Sequence, residues 1–161
     1  MCLLLVVRFN SLPLSGAATL TSKRRHAEIA AEASEQLLPH KRTILPKLYR
    51  YLHDPDVKIQ TAMTAIWRCL VPSDANAVVD EYLKDIVDEL LREIENRGSV
   101  VREACCHAMT EALRGRALNP IVVGKLGELW RVVLARLDDV KETVRKAAIP
   151  LSRLELNFII I

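Results

Sequence analysis

The feature that constrains this chain most is an internal repeat of about 42 residues. A hydrophobic residue followed by a polar one recurs at Ile59-Gln60, Val101-Arg102 and Val144-Arg145, at spacings of 42 and 43 residues. Five positions before this step stand Asp54, Asn96 and Asp139, and three positions after it stand Ala62, Ala104 and Ala147. Agreement at several fixed offsets identifies a true repeat.

Each repeat unit predicts two helices joined by a short turn. The first helix carries apolar residues at i, i+3 or i+4, and i+7, which gives one broad apolar stripe at the helical period. The stripe residues are Ile44, Leu45, Leu48 and Leu52, then Tyr82, Leu83, Ile86, Val87, Leu90, Leu91 and Ile94, then Leu126, Leu129, Trp130, Val133, Leu134 and Leu137. The turns read HDPD, NRGS and LDD, and such residues are typical of helix caps and breaks.

Three residues, Thr43, Pro46 and Pro150, indicate where individual helices begin or end. Thr43 is expected to cap the first helix, which would place Pro46 in a first turn, where proline is tolerated. An interior proline costs about 3 kcal/mol, so we expect the last helix to end or kink near Ile149, just before Pro150.

Stacked helix pairs of this length are typical of the HEAT/armadillo class of α-solenoid. We therefore predict an all-α fold of about two and a half repeats plus a partial leading helix. The array is expected over residues 27–154, in units at about 43–71, 80–114 and 121–154, between an atypical N-terminal segment (1–26) and an apolar tail (155–161). Because such repeats need neighbours to bury both faces, we expect an internal piece of a longer chain.

Composition and the absence of known motifs argue against an enzyme, a nucleic-acid-binding protein and a membrane-spanning protein. The formal net charge is only +3, from 23 basic and 20 acidic residues, so no concentrated basic face indicates nucleic acid. Neither a catalytic motif nor a stretch of about 18 apolar residues is present, so we predict no enzyme, no cofactor and no transmembrane segment. Cys105, Cys106 and His107 point about 100° apart on a helix and cannot converge on one metal ion, so buried thiols are the preferred interpretation.

The recurring polar positions are interpreted as architecture. We expect Asp54, Asn96, Arg102, Asp139 and Arg145 to form a structural ladder between stacked turns, with Asp139 paired to Arg102. Trp67 and Trp130 are expected in the core.

Several charged residues are expected at the surface. Asp85, Glu89 and Asp88 are expected on the outer side of their helix. Two interpretations of Arg114-Gly115-Arg116 stand side by side: a helix C-terminal cap, or a contact with an acidic partner.

Four stretches of the sequence resemble a known protein family. The stretches LPKLYRYLHDPD, QTAMTAIWRCLV, VREACCHAMTEALRGR and DDVKETVRKAA together resemble the large HEAT-repeat proteasome adaptor and scaffold proteins, over about residues 27–149. The resemblance implies a non-enzymatic scaffold associated with the 26S proteasome, which tethers or stabilises core and regulatory particles and moderates their activity. It also implies a cytoplasmic location, with the nucleus as a further one.

Other readings stay open at the level of sequence. A HEAT scaffold of another class, such as a nuclear transport receptor or a phosphatase scaffold, would carry the same repeat signature. A nucleic-acid-binding helical repeat could use the basic run Lys23 to Arg25, although the near-neutral charge balance argues against it.

Overall fold

The computed structural model of the chain describes residues 40–71 and 74–156, with the side chains of 155 and 156 left aside. Within this part every regular element is a helix, so the predicted all-α class is confirmed. The helices are α1 (Lys41–Tyr51), α2 (Val57–Leu70), α3 (Ala75–Glu81), α4 (Leu83–Glu93), α5 (Ser99–Leu113), α6 (Pro120–Gly124), α7 (Leu126–Leu137) and α8 (Glu142–Leu156). The predictions for residues 1–26, the leading helix at 27–38 and most of the apolar tail lie outside the described residues.

The helices group into three units, which we call repeat 1 (41–70), repeat 2 (75–113) and repeat 3 (120–156). In repeats 2 and 3 a short helix, α3 or α6, precedes the first long helix. The helical conformation is interrupted between the two helices, at Tyr82 in repeat 2 and at Lys125 in repeat 3. Within each repeat the two long helices pack together, and the repeats contact through α1 with α4 and through α5 with α8. None of the helices in the described ranges is long and apolar enough to cross a membrane.

The core includes helix α4, which packs against both α1 and α5. The fully buried side chains of this helix include Leu83, Ile86, Val87 and Leu90. The most extensive contact in the described chain joins α5 to α8, and both helices bury alanines there. Small side chains allow two helix backbones to approach closely, which suits a tight joint between repeats 2 and 3.

The aromatic residues divide between core and boundary. Trp67 is buried, as expected, and its ring lies 5.7 Å from that of Tyr49 in an edge-on arrangement. Edge-to-face pairs of this kind add stability beyond the buried area. Trp130 is only half-buried on α7, so its assignment to the core holds in part.

The first helix begins earlier than predicted. It starts at Lys41 after His40, whose side chain makes no capping hydrogen bond, so the expectation that Thr43 caps the helix is wrong. Pro46 consequently lies inside α1 and not in its first turn. Burial explains the tolerance, because Leu45 and Leu48 on either side of the proline pack in the core.

Pro150 does not end the last helix near Ile149, which was the first of the two outcomes predicted for it. Helix α8 continues from Glu142 to Leu156 with Pro150 inside it. The proline lies on the exposed side, where the carbonyl four residues earlier can bind water in place of the missing N–H. Leu151, the next residue and about 100° further around the helix, is fully buried and holds the second half of the helix on the core.

Two further positions differ from the amphipathic pattern. Glu89 was expected on the outer side of its helix but is 7% exposed, since α4 is covered from two directions. Its carboxylate accepts a 2.7 Å ion pair from Arg92. Leu134 was expected on the apolar stripe but is 57% exposed, because no helix of the described chain covers that side of α7.

Candidate functional site at the turns between repeats

The three turns between paired helices share one local device. In each turn a side-chain Oδ1 accepts a hydrogen bond from the backbone N–H two residues further along, which fixes the entry into the second helix. The acceptors are Asp54, Asn96 and Asp139, with the N–H groups of Asp56, Gly98 and Lys141 at 2.9, 2.9 and 3.0 Å.

The residue six positions after each of these acceptors closes the same turn from the second helix. Arg102 Nη1 donates to the carbonyls of Asn96 and Arg97, both at 2.9 Å. Arg145 Nη1 donates to the carbonyl of Asp139 at 2.7 Å. In repeat 1 the position holds Gln60, whose Nε2 donates instead to the carbonyl of Leu52 at 3.0 Å.

Arg102 also joins repeat 2 to repeat 3. Its Nε and Nη2 donate to the two carboxylate oxygens of Asp139 at 2.7 and 2.8 Å. The two side chains are 9% and 4% exposed. A bidentate, charge-assisted pair of this geometry is strong and highly directional. The hydrogen bond from Arg102 lowers the pKa of Asp139 from 3.8 to about 2, although burial of the carboxylate acts in the opposite direction.

Arg145 has no comparable carboxylate partner among the described residues. It is half-buried and bonds only the backbone of its own turn. Asp54 and Asn96, at the acceptor positions of the first two turns, are not bridged by a described side chain of the other repeat. The structure therefore brings Arg102 and Asp139 together and leaves the other ladder residues within their own turns.

The joint between repeats 1 and 2 is more open than the joint between repeats 2 and 3. Helix α2 packs mainly on α1 and makes no contact with α5 comparable to that between α5 and α8. A groove of about 460 Å³ opens on this side, lined by His53, Asp54, Gln60, Glu103, His107 and Glu111, among others. Burial lowers the pKa of His53, so that its ring is neutral at neutral pH.

Arg114 and Arg116 differ in their surroundings: Arg116 makes contacts within the fold, and Arg114 is largely exposed. Arg116 donates through Nε to Asp80 and through Nη2 to the carbonyl of Asn76 at 3.4 Å, so it ties α3 to the end of α5. Arg114 is 65% exposed in its side chain and pairs with Glu111 at 2.7 Å. Gly115 between them adopts φ 74°, a left-handed conformation that glycine accepts readily after a helix.

Sequence reasoning missed Arg136. Its Nη1 donates to the carbonyl of Ile94 at 3.0 Å and lies 3.6 Å from Asp139 Oδ2, so it reinforces the same joint as Arg102. Its Nε is buried and has no hydrogen-bond partner among the described residues. The equivalent positions in the other repeats are Tyr51 and Glu93, so the repeat gave no signal, and only the preference for a basic residue at a helix end pointed to it.

The thiols of Cys105 and Cys106 lie in surroundings typical of structural cysteines. Cys105 and Cys106 are fully buried, and burial raises the pKa of each to about 12. His107 beside them is exposed. No three His, Cys, Asp or Glu side chains within residues 40–71 and 74–156 are grouped so that they could hold a metal ion.

Three curated relatives match much of the chain. The human "Proteasome adapter and scaffold protein ECM29" is 44% identical over 120 residues, which is 74% of this chain and 6% of that protein. The Saccharomyces cerevisiae "Proteasome component ECM29" is 32% identical over 150 residues, and the Drosophila melanogaster "Proteasome-associated protein ECM29 homolog" is 33% identical over 155. These matches cover 88% and 81% of this chain and 8% of each relative. No protein-family model and no solved structure matches the chain.

Proposed function

Because this chain belongs to the ECM29 family over the stretch that it shares with the human, yeast and fly proteins, we propose that it forms a section of a proteasome-associated scaffold. The observation that carries the proposal is the 44% identity with a protein named a proteasome adapter and scaffold. In this role the section binds proteasome particles through its surface and performs no chemistry of its own. Its finer role is to tether or stabilise core and regulatory particles and to moderate their activity, in the cytoplasm and in the nucleus.

The polar architecture supports a mechanical role. The bidentate contact between Arg102 and Asp139 fixes the register of repeats 2 and 3 and uses buried charge to do so. Exposed ion pairs such as Arg131 with Glu95, at 3.1 Å, add little energy individually but leave charged groups available on the surface. A scaffold needs such a stiff frame with a polar exterior, and the modest net charge of +3 favours protein partners over nucleic acid.

The test is direct binding. The 161-residue chain, immobilised, is incubated separately with purified proteasome core particles and regulatory particles, and bound subunits are identified by mass spectrometry. Retention of either particle at micromolar concentration is expected. Capture of neither particle would contradict the proposal.

A matched pair of variants examines the arginine at the end of α5. A contact with an acidic partner was one of the two interpretations of Arg114, whose side chain is 65% exposed, whereas Arg42, 79% exposed, was given no such role. We expect Arg114→Ala to weaken particle binding several-fold and Arg42→Ala to leave it unchanged. Equal effects of the two substitutions would remove Arg114 from the contact.

A further inference from the structure

The joint between repeats 2 and 3 contains a complete binding site for a guanidinium group, and it serves as an internal template. Arg102 fills this site with four hydrogen bonds. Two of them go to backbone carbonyls of the turn in its own repeat, and two go to the carboxylate of Asp139. Carbonyl and carboxylate oxygens arranged around one plane are the acceptors that a guanidinium matches with its fixed fork of donors.

The corresponding place in repeat 1 lacks its arginine. Position 60 is glutamine, and its amide turns back to the carbonyl of Leu52. The carbonyls of Asp54 and Pro55 correspond to those that Arg102 binds in repeat 2, and no donor among the described residues is bonded to either. The groove of about 460 Å³ between α2 and α5 is lined by both of these residues and by Gln60.

The side chains that line the groove carry a net negative charge. The carboxylate of Asp54 is buried, with the residue 6% exposed, and the described part of the chain supplies no cation to it. Glu103 is half-buried on α5 and also lines the groove, as does Glu111. The single arginine in the lining, Arg114, is already bound to Glu111. Uncharged His53 adds no opposing positive charge at neutral pH.

From this template and this charge, we propose that the groove between α2 and α5 binds an arginine side chain of a partner polypeptide. The guanidinium takes the place beside the turn of repeat 1 that the missing arginine leaves, where the carbonyls of Asp54 and Pro55 are its acceptors. The position that corresponds to Asp139 holds the uncharged Asn96, so the carboxylates of this site come instead from the groove lining, from Asp54 and Glu103. The volume of the groove, about 460 Å³, lies within the usual range of ligand sites and admits an arginine side chain with part of its backbone. The inference does not depend on which protein supplies the arginine, and so it stands apart from the proteasome proposal.

The planar fork distinguishes the expected ligand from other cations. Lysine offers a point charge that cannot bond carbonyls and carboxylates along one plane, and citrulline keeps the shape of arginine without the charge. A short peptide with one arginine between glycines is therefore compared with its lysine and citrulline analogues. Binding to the full 161-residue chain is measured by calorimetry and by NMR titration.

We expect the arginine peptide to bind with a dissociation constant of about 1 mM, and the citrulline peptide to bind about tenfold more weakly. Gln60→Arg supplies the guanidinium from within the chain, so it should weaken binding of the arginine peptide about tenfold. Glu103→Gln should weaken it several-fold. The matched control is Glu95→Gln, at an exposed carboxylate outside the groove lining, which should leave binding unchanged.

Any of the following outcomes overturns the proposal: equal binding of the arginine and citrulline peptides, full binding by Gln60→Arg, an equal loss in Glu95→Gln and Glu103→Gln, or no binding at about 10 mM peptide. A lysine peptide that binds as well as the arginine peptide also contradicts the guanidinium assignment. Glu103 is only half-buried, so Glu103→Gln provides a readout even where Gln60→Arg alters folding.

Discussion

Replacing Arg102 by methionine tests the central claim about the joint between repeats 2 and 3. Removing one member of a buried ion pair costs about 3–5 kcal/mol, since the other charge stays buried without its partner. Asp139 would keep the N–H of Lys141 and the guanidinium of Arg136 at 3.6 Å. We therefore expect a loss at the lower end of that range, about 3 kcal/mol in the free energy of unfolding.

The pKa of the Asp139 carboxylate gives a second magnitude for the same contact. A pKa lowered from 3.8 to about 2 corresponds to about 2 kcal/mol of stability at neutral pH. Because the folded pKa is the lower one, this stability is present above pH 3.8 and is lost as pH falls toward 2. Asp139→Asn removes the charge and keeps the turn, as Asn96 does in repeat 2. Its expected cost is about 2 kcal/mol.

The assay is urea unfolding at neutral pH, followed by far-UV circular dichroism, on the two single variants and the double variant. A coupling energy of about 2 kcal/mol is expected, and the melting temperature of Arg102→Met should fall by about 6–12 °C. Raising the salt to about 0.5 M should change the coupling little, because the pair is shielded from solvent.

The matched control is Arg131 with Glu95, which also joins the two repeats but is 65% and 54% exposed. Substitution of Arg131 by methionine and Glu95 by glutamine should give a coupling of only about 0–1 kcal/mol. The reasoning is refuted if Arg102→Met costs less than about 1 kcal/mol, if the two substitutions at Arg102 and Asp139 are additive, or if both pairs couple equally.

Three further predictions rest on the same structure. Pro150→Ala should raise the free energy of unfolding by up to about 3 kcal/mol, as alanine restores a helical N–H on an exposed side, and a urea midpoint that does not rise would contradict this. Burial lowers the pKa of His53 from 6.5, so stability should be lost as pH falls below 6.5; His53→Asn should flatten that slope in thermal melts, whereas substitution of exposed His40 should not. Gln60→Arg combined with Asn96→Asp should raise the melting temperature by about 2–4 °C through a new pair between repeats 1 and 2, and a sum of the single effects with no surplus would argue against it.

The features that the sequence predicted well are those written in local periodicity. The apolar stripe of α4 appears in the sequence from Leu83 to Ile94, and all of its core positions are buried. The offset between Asp139 and Arg102 is likewise a property of the repeat, and the structure places these two side chains within hydrogen-bond distance. Such features follow from spacing alone, since equal offsets in stacked units occupy equivalent places.

The features that escaped prediction depend on which helices lie next to each other. Glu89 is buried because α4 is covered from two sides, a fact that no single-helix pattern contains. Pro150 stays within a helix because it happens to lie on the exposed side. The groove beside Gln60 arises because α2 does not pack on α5, and a sequence window cannot report the angle between two repeats.

The ladder has a direction. Arg102 donates forward to the acidic residue of the following repeat, and the exchange is not returned. A surface with a donor on one side and an acceptor on the other makes a heterologous contact, which repeats by translation and rotation along an axis. A two-fold interface would need each surface to carry both the donor and the acceptor, so this one-way contact does not by itself build a symmetric dimer. A further unit that is joined in the same way as repeat 3 would carry an acceptor facing Arg145, and the joint between repeats 1 and 2 shows that units also stack without such a pair.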